Sequence, residues 1–377
     1  MSTMPLNPND PGAQALRFET VTGDPMRQHG PRTRAPRTFR RSGAARLLAI
    51  AAAAALGASL LTACVGSDPG SGDTITVGVG SNIFQMPIRV ADANGYFAKQ
   101  GLKVKYVTLT ASTGTAALQS GSVQFLSDSP TDFLSAVSKG VPETAISSDG
   151  NGNPLGLIVS TKFAKAHGLT AATPAAQVAK ALAGSTGGAS STNTKAEAGI
   201  FLKAYGVDPG SVKWESLPSP AADKAALTNN LVDWFATSEP VPLQMQQSGD
   251  GVVVADATKV PAWSNASIGY GELLVARNSY LSQNAAVAKK FATAVQQATA
   301  YMNAHLDSTT VQKVAQEVLP GVPATVLNSS LSLVDWPTSG AMSTAGWNTS
   351  LAFINALDAT SKPAKVTPDN WTNKYLS

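Results

Sequence analysis

Between Thr74 and Val107 the residues follow a pattern that few architectures accommodate. Ile75, Val77 and Val79 occupy every second position against Thr74, Thr76 and Gly78, which is the two-residue period of a strand. A glycine-bearing loop follows, then a helix-compatible run from Pro87 with Ile88 and Ala91 on its apolar side. Gly95 interrupts that run before the pair Tyr96-Phe97, and Gly101 stops the next turn. Leu102, Val104 and Tyr106 then alternate with Lys103 and Lys105, so the piece reads strand, loop, helix, strand, the βαβ unit of an α/β fold.

The alternation continues along the chain. Strands are expected over 123–126, 144–147 and 155–160, with helices over 112–120 and 131–139 between them. A second series begins with a helix over 174–182. It passes a Gly-Gly-Ala-Ser-Ser loop and runs helix 195–205, strand 212–217, helix 221–229, strand 232–237, helix 241–247 and strand 252–255. A strand over 271–276 is followed only by helices, over 284–306, 311–318, 324–331 and 344–357. A chain of 377 residues is too long for one ordinary core, so these series predict two α/β lobes. The first comprises 74–163 and, after the chain crosses back, 268–377 with its C-terminal helices; the second comprises 164–267.

The first 63 residues read differently. Residues 1–46 are rich in Pro, Arg and polar groups without an apolar period, and Met26 is an alternative start. The basic run ending in Arg40, Arg41 and Arg46 precedes an apolar block over 47–63, which is the form of a secretory signal peptide; the Arg40-Arg41 pair leaves Sec and twin-arginine export both open. The block ends in Leu61-Thr62-Ala63-Cys64 and a flexible tether over 64–73. That ending resembles a bacterial lipobox, in which the cysteine becomes the lipidated N-terminus. Cys64 is the single cysteine of the chain, so an internal disulfide is ruled out, and its place after a signal core predicts lipidation. The segment also explains the charge: of 28 basic and 24 acidic residues, eight arginines and three acids precede Cys64, leaving 20 against 21. A nucleic-acid partner is disfavoured, because the remainder carries no basic stripe and only two arginines, Arg89 and Arg277.

Catalytic chemistry is poorly supplied. His167 and His305 read as solvated surface residues, and no GxSxG, HExxH, CxxC or P-loop occurs, so neither an enzyme nor a metal or cofactor site is expected. Hydroxyl-rich helix starts are plentiful. Ser112-Thr113-Gly114-Thr115 and Ser190-Ser191-Thr192-Asn193-Thr194 each follow a strand, one in each half. Singly each is accounted for by ordinary N-capping. As a pair in facing lobes, their N–H groups and hydroxyls point to a gripped ligand.

With these pieces placed, the chain resembles the substrate-binding proteins of ABC importers, in the branch of the sulfonate, taurine and nitrate binders and the Thi5-like (NMT1) proteins. The resemblance is carried by ITVGVG at 75–80, PIRVADANGYFAKQGLKV at 87–104, AALQSGSVQFLSDSP at 116–130, AALTNNLVDWFATSEP at 225–240 and LLVARNSYLSQNAAVAKKFATAV at 273–295. It implies a type II periplasmic-binding-protein fold, two α/β lobes joined by a two-crossing hinge, with crossings near 160–163 and 267–271 that close on ligand. It further implies a monomeric receptor for a small organic solute (a sulfonate, another small organic anion or a pyrimidine-like compound). That receptor would be lipid-anchored through Cys64 on the outer face of the bacterial cytoplasmic membrane and would deliver to an ABC permease and its ATPase. The substrate residues it implies are Asn82, Phe84 and Gln85, then Ser112, Thr113, Gly114 and Thr115, then Asp128 and Ser129, then Ser191, Thr192 and Asn193, and Glu239. A Thi5-like pyrimidine-synthesis enzyme and a ligand-sensing domain without transport are the alternatives; the single cysteine weighs against the enzyme.

Two departures bear on specificity. Ser238 stands where the family often has an aromatic before its Glu-Pro pair, and Asn230-Leu231 replaces a usual glycine, leaving Phe84 or Trp234 as the remaining stacking wall. With only Arg89 and Arg277 at hand, an anion would be held by helix N-termini and hydroxyls, or else the ligand is neutral or heteroaromatic.

Overall fold

The structure, a computed structural model, describes residues 73–190, 192–217, 219–357 and 365–377. The leader and Cys64 lie outside the described residues, as do Ser191 and most of the tether.

Ten strands form two five-stranded sheets: β1 Asp73–Val79, β2 Leu102–Thr108, β3 Phe125–Asp128, β4 Glu143–Asn151, β5 Leu155–Ser160, β6 Thr186–Ala189, β7 Lys213–Ser216, β8 Trp234–Ser238, β9 Gly251–Asp256 and β10 Tyr270–Arg277. The first sheet has the order β2-β1-β3-β10-β4 and the second β7-β6-β8-β5-β9. The βαβ unit read from residues 74–107 stands at one edge of the first sheet. There β1 and β2 run parallel, with Ile75 opposite Val104 and Val77 opposite Tyr106.

The two sheets share one plan. In each, four strands run in one direction, while the fifth, β10 beside β3 or β5 beside β8, is antiparallel to both neighbours. That inserted strand has always just arrived from the other lobe. β5 follows β4 of the first sheet, and β10 follows β9 of the second. The first crossing is therefore Gly152-Asn153-Pro154, earlier than the expected 160–163. β5 pairs with β8 and β9, so residues 155–160 belong to the second lobe. The second crossing falls at the end of the short helix Asn265–Ile268, where Ile268 is still in the second lobe's core and Tyr270 already opens β10.

Both sheets are covered on both faces, which is why their inner strands read as near-continuous apolar runs. One face of the first sheet packs Val77 and Phe125 against the long helix Ala285–Ala304. Phe97 stacks on that helix's Phe291 at 5.5 Å between ring centres, and Phe125 stacks on it from 4.1 Å. Gly95, at φ 68°, stops the helix Met86–Ala93 and turns Phe97 into this core, a conformation glycine reaches without steric cost. The other face carries Leu118, Phe133, Leu273 and Trp347.

The last helix, Thr344–Leu357, departs from the expected wrapping of the first lobe alone. Its Trp347 belongs to the first lobe's core while Phe353 belongs to the second's, so it ties the lobes together beside the two crossings. Within it, the Ser350 hydroxyl accepts from the backbone N–H of Tyr270 at 2.9 Å.

Candidate functional site

Between the two lobes lies a cleft of about 1570 Å³, lined from both sheets and from the last helix. The loop after β1 supplies its first wall. The Asn82 side chain accepts from the backbone N–H of Phe84 at 3.0 Å, starting the short 3-10 helix Ile83–Gln85, and both Asn82 and Phe84 line the cleft. Gln85 turns away from it. Its amide donates to Gly80 O at 2.8 Å and its oxygen accepts from Arg89 at 3.2 Å, so it braces the loop from behind.

Of Thr113, Gly114 and Thr115 in the first hydroxylic helix start, Thr115 reaches the cleft. Thr113 closes a capping box with Thr110 at the exposed beginning of the helix Ala111–Ser120. Gly114 packs against Leu126, where an added Cβ would stand 3.1 Å from Cδ2. Ser112 and Thr192 are placed only as backbone positions in helices.

The first-lobe partner of the second lobe is instead the helix Pro130–Ser138. Ser129 caps it, accepting from Asp132 N at 3.1 Å and donating to the Asp132 carboxylate at 2.8 Å. Two residues on from that cap, the Thr131 hydroxyl donates across the cleft to Asn193 Oδ1 at 2.9 Å. Asn193 stands at the start of the helix Thr192–Ala204, so this bond joins helix beginnings of opposite lobes. The Asn193 amide donates in turn to Glu197 Oε1 at 2.9 Å, and Asn153, in the first crossing, donates to the same oxygen at 2.8 Å. Ser238 completes the chain by donating to Asn153 Oδ1 at 3.0 Å. Hinge, second-lobe helix and first-lobe helix are thus wired through one buried carboxyl group.

Acids dominate the interior of this site. Glu197 is 1% exposed and lines the cleft; burial pushes its carboxyl up to about 8 against the two asparagine hydrogen bonds that lower it. Glu272, on β10, is 4% exposed and also lines the cleft. Its Oε1 accepts from Ser127 at 2.6 Å, and burial, reinforced by Asp149, holds its proton affinity well above the ordinary carboxylate range. Asp128 lies behind the wall, raised for the same reason, with Oδ1 accepting from Ser129 N at 3.1 Å. Glu239 is not on the cleft surface. It is buried at the start of the helix Val241–Gln247, where its Oε2 accepts from Leu243 N at 2.9 Å, and burial pushes it up to about 8.

Both arginines are engaged elsewhere. Arg89 lies 3.6 Å over the Tyr106 ring, and Arg277 donates to Leu118 O at 3.1 Å. Trp234 is fully buried, with its indole N–H on Ser185 at 2.8 Å, so it is core; the rings on the cleft are Phe84, Trp214, Tyr270 and Phe353. His167 ends the helix Thr161–His167 and packs against Phe163; His305 packs against Tyr301. Asn230, where the family's glycine is usual, adopts φ 53°, the left-handed turn that asparagine tolerates better than most side chains. Among the described residues no three His, Cys, Asp or Glu side chains converge to hold a metal ion, and no helix is long and apolar enough to cross a membrane.

No curated protein sequence matches the chain. Three solved structures show what it is similar to. The alkanesulfonate-binding protein SsuA from Xanthomonas axonopodis pv. citri, bound to MOPS, is 16% identical with a TM-score of 0.61, covering 78% of this chain and 97% of its own. The ligand-binding component of an ABC-type import system from Staphylococcus aureus, with zinc bound, is 16% identical with a TM-score of 0.59, covering 75% and 91%. A Candida albicans gene product with the generic periplasmic binding protein fold is 16% identical with a TM-score of 0.58, covering 81% and 97%. These likenesses establish the fold as that of the periplasmic binding proteins, two α/β lobes about a hinge. Residues 82–308, well over half of the chain, match the family described as NMT1/THI5-like, and the chain belongs to that family.

Proposed function

We propose that this chain is the extracytoplasmic solute-binding component of an ABC importer, capturing a small organic solute between its lobes and presenting it to a permease. The observation that carries this reading is the cleft itself. It is lined from both lobes, sits at two chain crossings, and is spanned by the Thr131–Asn193 hydrogen bond, the arrangement in which a ligand gains by contacting both lobes at once. The importer component from Staphylococcus aureus and the sulfonate binder from Xanthomonas share this fold and lend the transport role its weight. Among the described residues no arginine lines the cleft, so a sulfonate would be held by helix N-termini, hydroxyls and the exposed lysines Lys139, Lys195 and Lys203.

The substrate contacts proposed are Asn82, Phe84, Thr115, Ser129 and Asn193 on the cleft, with Thr131, Asn153, Glu197 and Glu272 added from the geometry. A lipid on Cys64 anchors the protein to the outer face of the cytoplasmic membrane. The test is twofold. Screening solutes by thermal shift should find one that raises the melting point, because a ligand at a hundred times its Kd adds about 2.7 kcal/mol to the folded state. Cys64→Ala should release the protein from the membrane fraction. A variant that stays in the membrane pellet refutes the anchor, and a cleft that accepts no solute refutes capture.

A further inference from the structure

The buried titratable groups on this cleft are all acids. Glu197 enters it from the second lobe and Glu272 from the first, each almost wholly buried, with half-buried Asp132 beside them. The three lysines on the lining, Lys139, Lys195 and Lys203, are exposed, and the ammonium of Lys195 sits 5.4 Å over the Trp214 ring. Among the described residues neither Glu197 nor Glu272 forms an ion pair with a lysine or arginine. An anionic solute would therefore find no buried cation to meet it and would oppose ionisation of these carboxyl groups, whereas a cationic solute favours their charged form.

The second observation is a particular atom. Glu197 Oε1 is saturated by the amides of Asn153 and Asn193, whereas Glu197 Oε2 is buried with no hydrogen-bonding partner among the described residues. A buried polar atom without a partner is costly, and groups of this kind in native proteins call for a partner supplied from outside. The neighbouring rings of Phe84 and Tyr270 provide apolar faces on which a cation with a carbon skeleton can rest. A metal ion fits less well, because among the described residues no three ligating side chains converge.

We infer that the solute of this cleft is a small organic cation, a protonated amine or amidine, whose N–H groups meet Glu197 from the second lobe and Glu272 from the first. The inference rests on the solute-binding reading above and sharpens it, since a cation shared between carboxylates of opposite lobes also holds the lobes together. The test uses full-length protein and ligand pairs matched in skeleton but opposite in charge: benzamidinium against benzenesulfonate, and butylammonium against butanesulfonate. Thermal shift and calorimetry should show binding by the cationic members only. Glu197→Gln and Glu272→Gln, each nearly isosteric, should weaken that binding at least tenfold. Sulfonates that bind while the cations stay silent overturn the cation but leave solute capture standing. Cations that bind both glutamine variants as tightly as the wild type overturn the assignment of these carboxylates. Silence of both sets at millimolar concentration counts against solute capture itself, and the cation falls with it. Should a variant fail to fold, the matched pairs on the wild-type protein still decide between the charges.

Discussion

Glu197→Gln is predicted to stabilise the free protein by an amount that grows with pH. The carboxyl group is 1% exposed, and its proton affinity is raised from an ordinary 4.5 to about 8 by burial. The unfolded chain thus loses this proton near the ordinary value while the folded protein keeps it to about pH 8. Between those limits the folded state binds more protons, so stability is greatest at the acid end and falls as pH rises. The limiting slope for one group is about 1.4 kcal/mol per pH unit and tapers near each end, which gives a loss of about 3–4 kcal/mol between pH 5 and pH 8. Glutamine has no such slope. Its oxygen still accepts from Asn153 and Asn193, and its amide, left without an acceptor, costs about 1–2 kcal/mol at every pH. That constant cancels when the gap between variant and wild type is compared across pH, as do the contributions of Asp149 and Glu239, which both proteins retain. Urea unfolding followed by tryptophan fluorescence and far-UV circular dichroism at pH 5, 6, 7 and 8 measures the gap. Two parallel stability curves would show that Glu197 is solvated or paired in a way this structure does not have.

Three further substitutions probe the scaffold around the cleft. Gly187→Ala places a Cβ 2.5 Å from Cζ2 of Trp234, a fully buried ring pinned by its bond to Ser185. It should therefore cost about 1–3 kcal/mol in urea unfolding, and a neutral result would mean the ring can move. Ser129→Ala removes the cap of the helix Pro130–Ser138 and should cost about 1 kcal/mol in the same assay. Thr131→Val keeps the shape of the side chain but removes the donor that spans the lobes, so small-angle scattering should show a larger radius of gyration without ligand. An unchanged radius denies that bond a role in holding the lobes together.

Much of this architecture was legible because periodicity reports burial. The two-residue alternation of Ile75, Val77 and Val79 became β1 with Val77 and Val79 fully buried, and the Tyr96-Phe97 pair became the anchor against Phe291. Periodicity is silent about which sheet a strand joins. β4 and β5 are both buried along nearly their whole length, so nothing in their residues says that the chain changes lobe between them. Gly152-Asn153-Pro154 carries the turn signal for that change, and its short length is what disguises it. The C-terminal helix was misassigned for a related reason. Trp347 and Phe353 both read as core, and the sequence does not record that they serve two different cores.

The deepest part of the site left a fainter trace. Thr194, Glu197 and Phe201 fall at spacings of three and four residues, so Glu197 lies on the same helix stripe as fully buried Phe201. A carboxylate on an apolar stripe is the readable anomaly; hydroxylic helix starts, being common caps, drew attention away from it. The anomaly also has an energetic meaning. A buried, half-satisfied carboxyl group weakens the empty protein, and the deficit is removed when a donor arrives in the cleft. The glutamine variant should therefore change two measurements in opposite directions, raising stability at pH 8 while lowering affinity for a cationic solute. A merely structural glutamate would not produce that pairing. If stability and affinity fell together, Glu197 would be a brace for the hinge through Asn153, and the charge of the solute would have to be read from Glu272 alone.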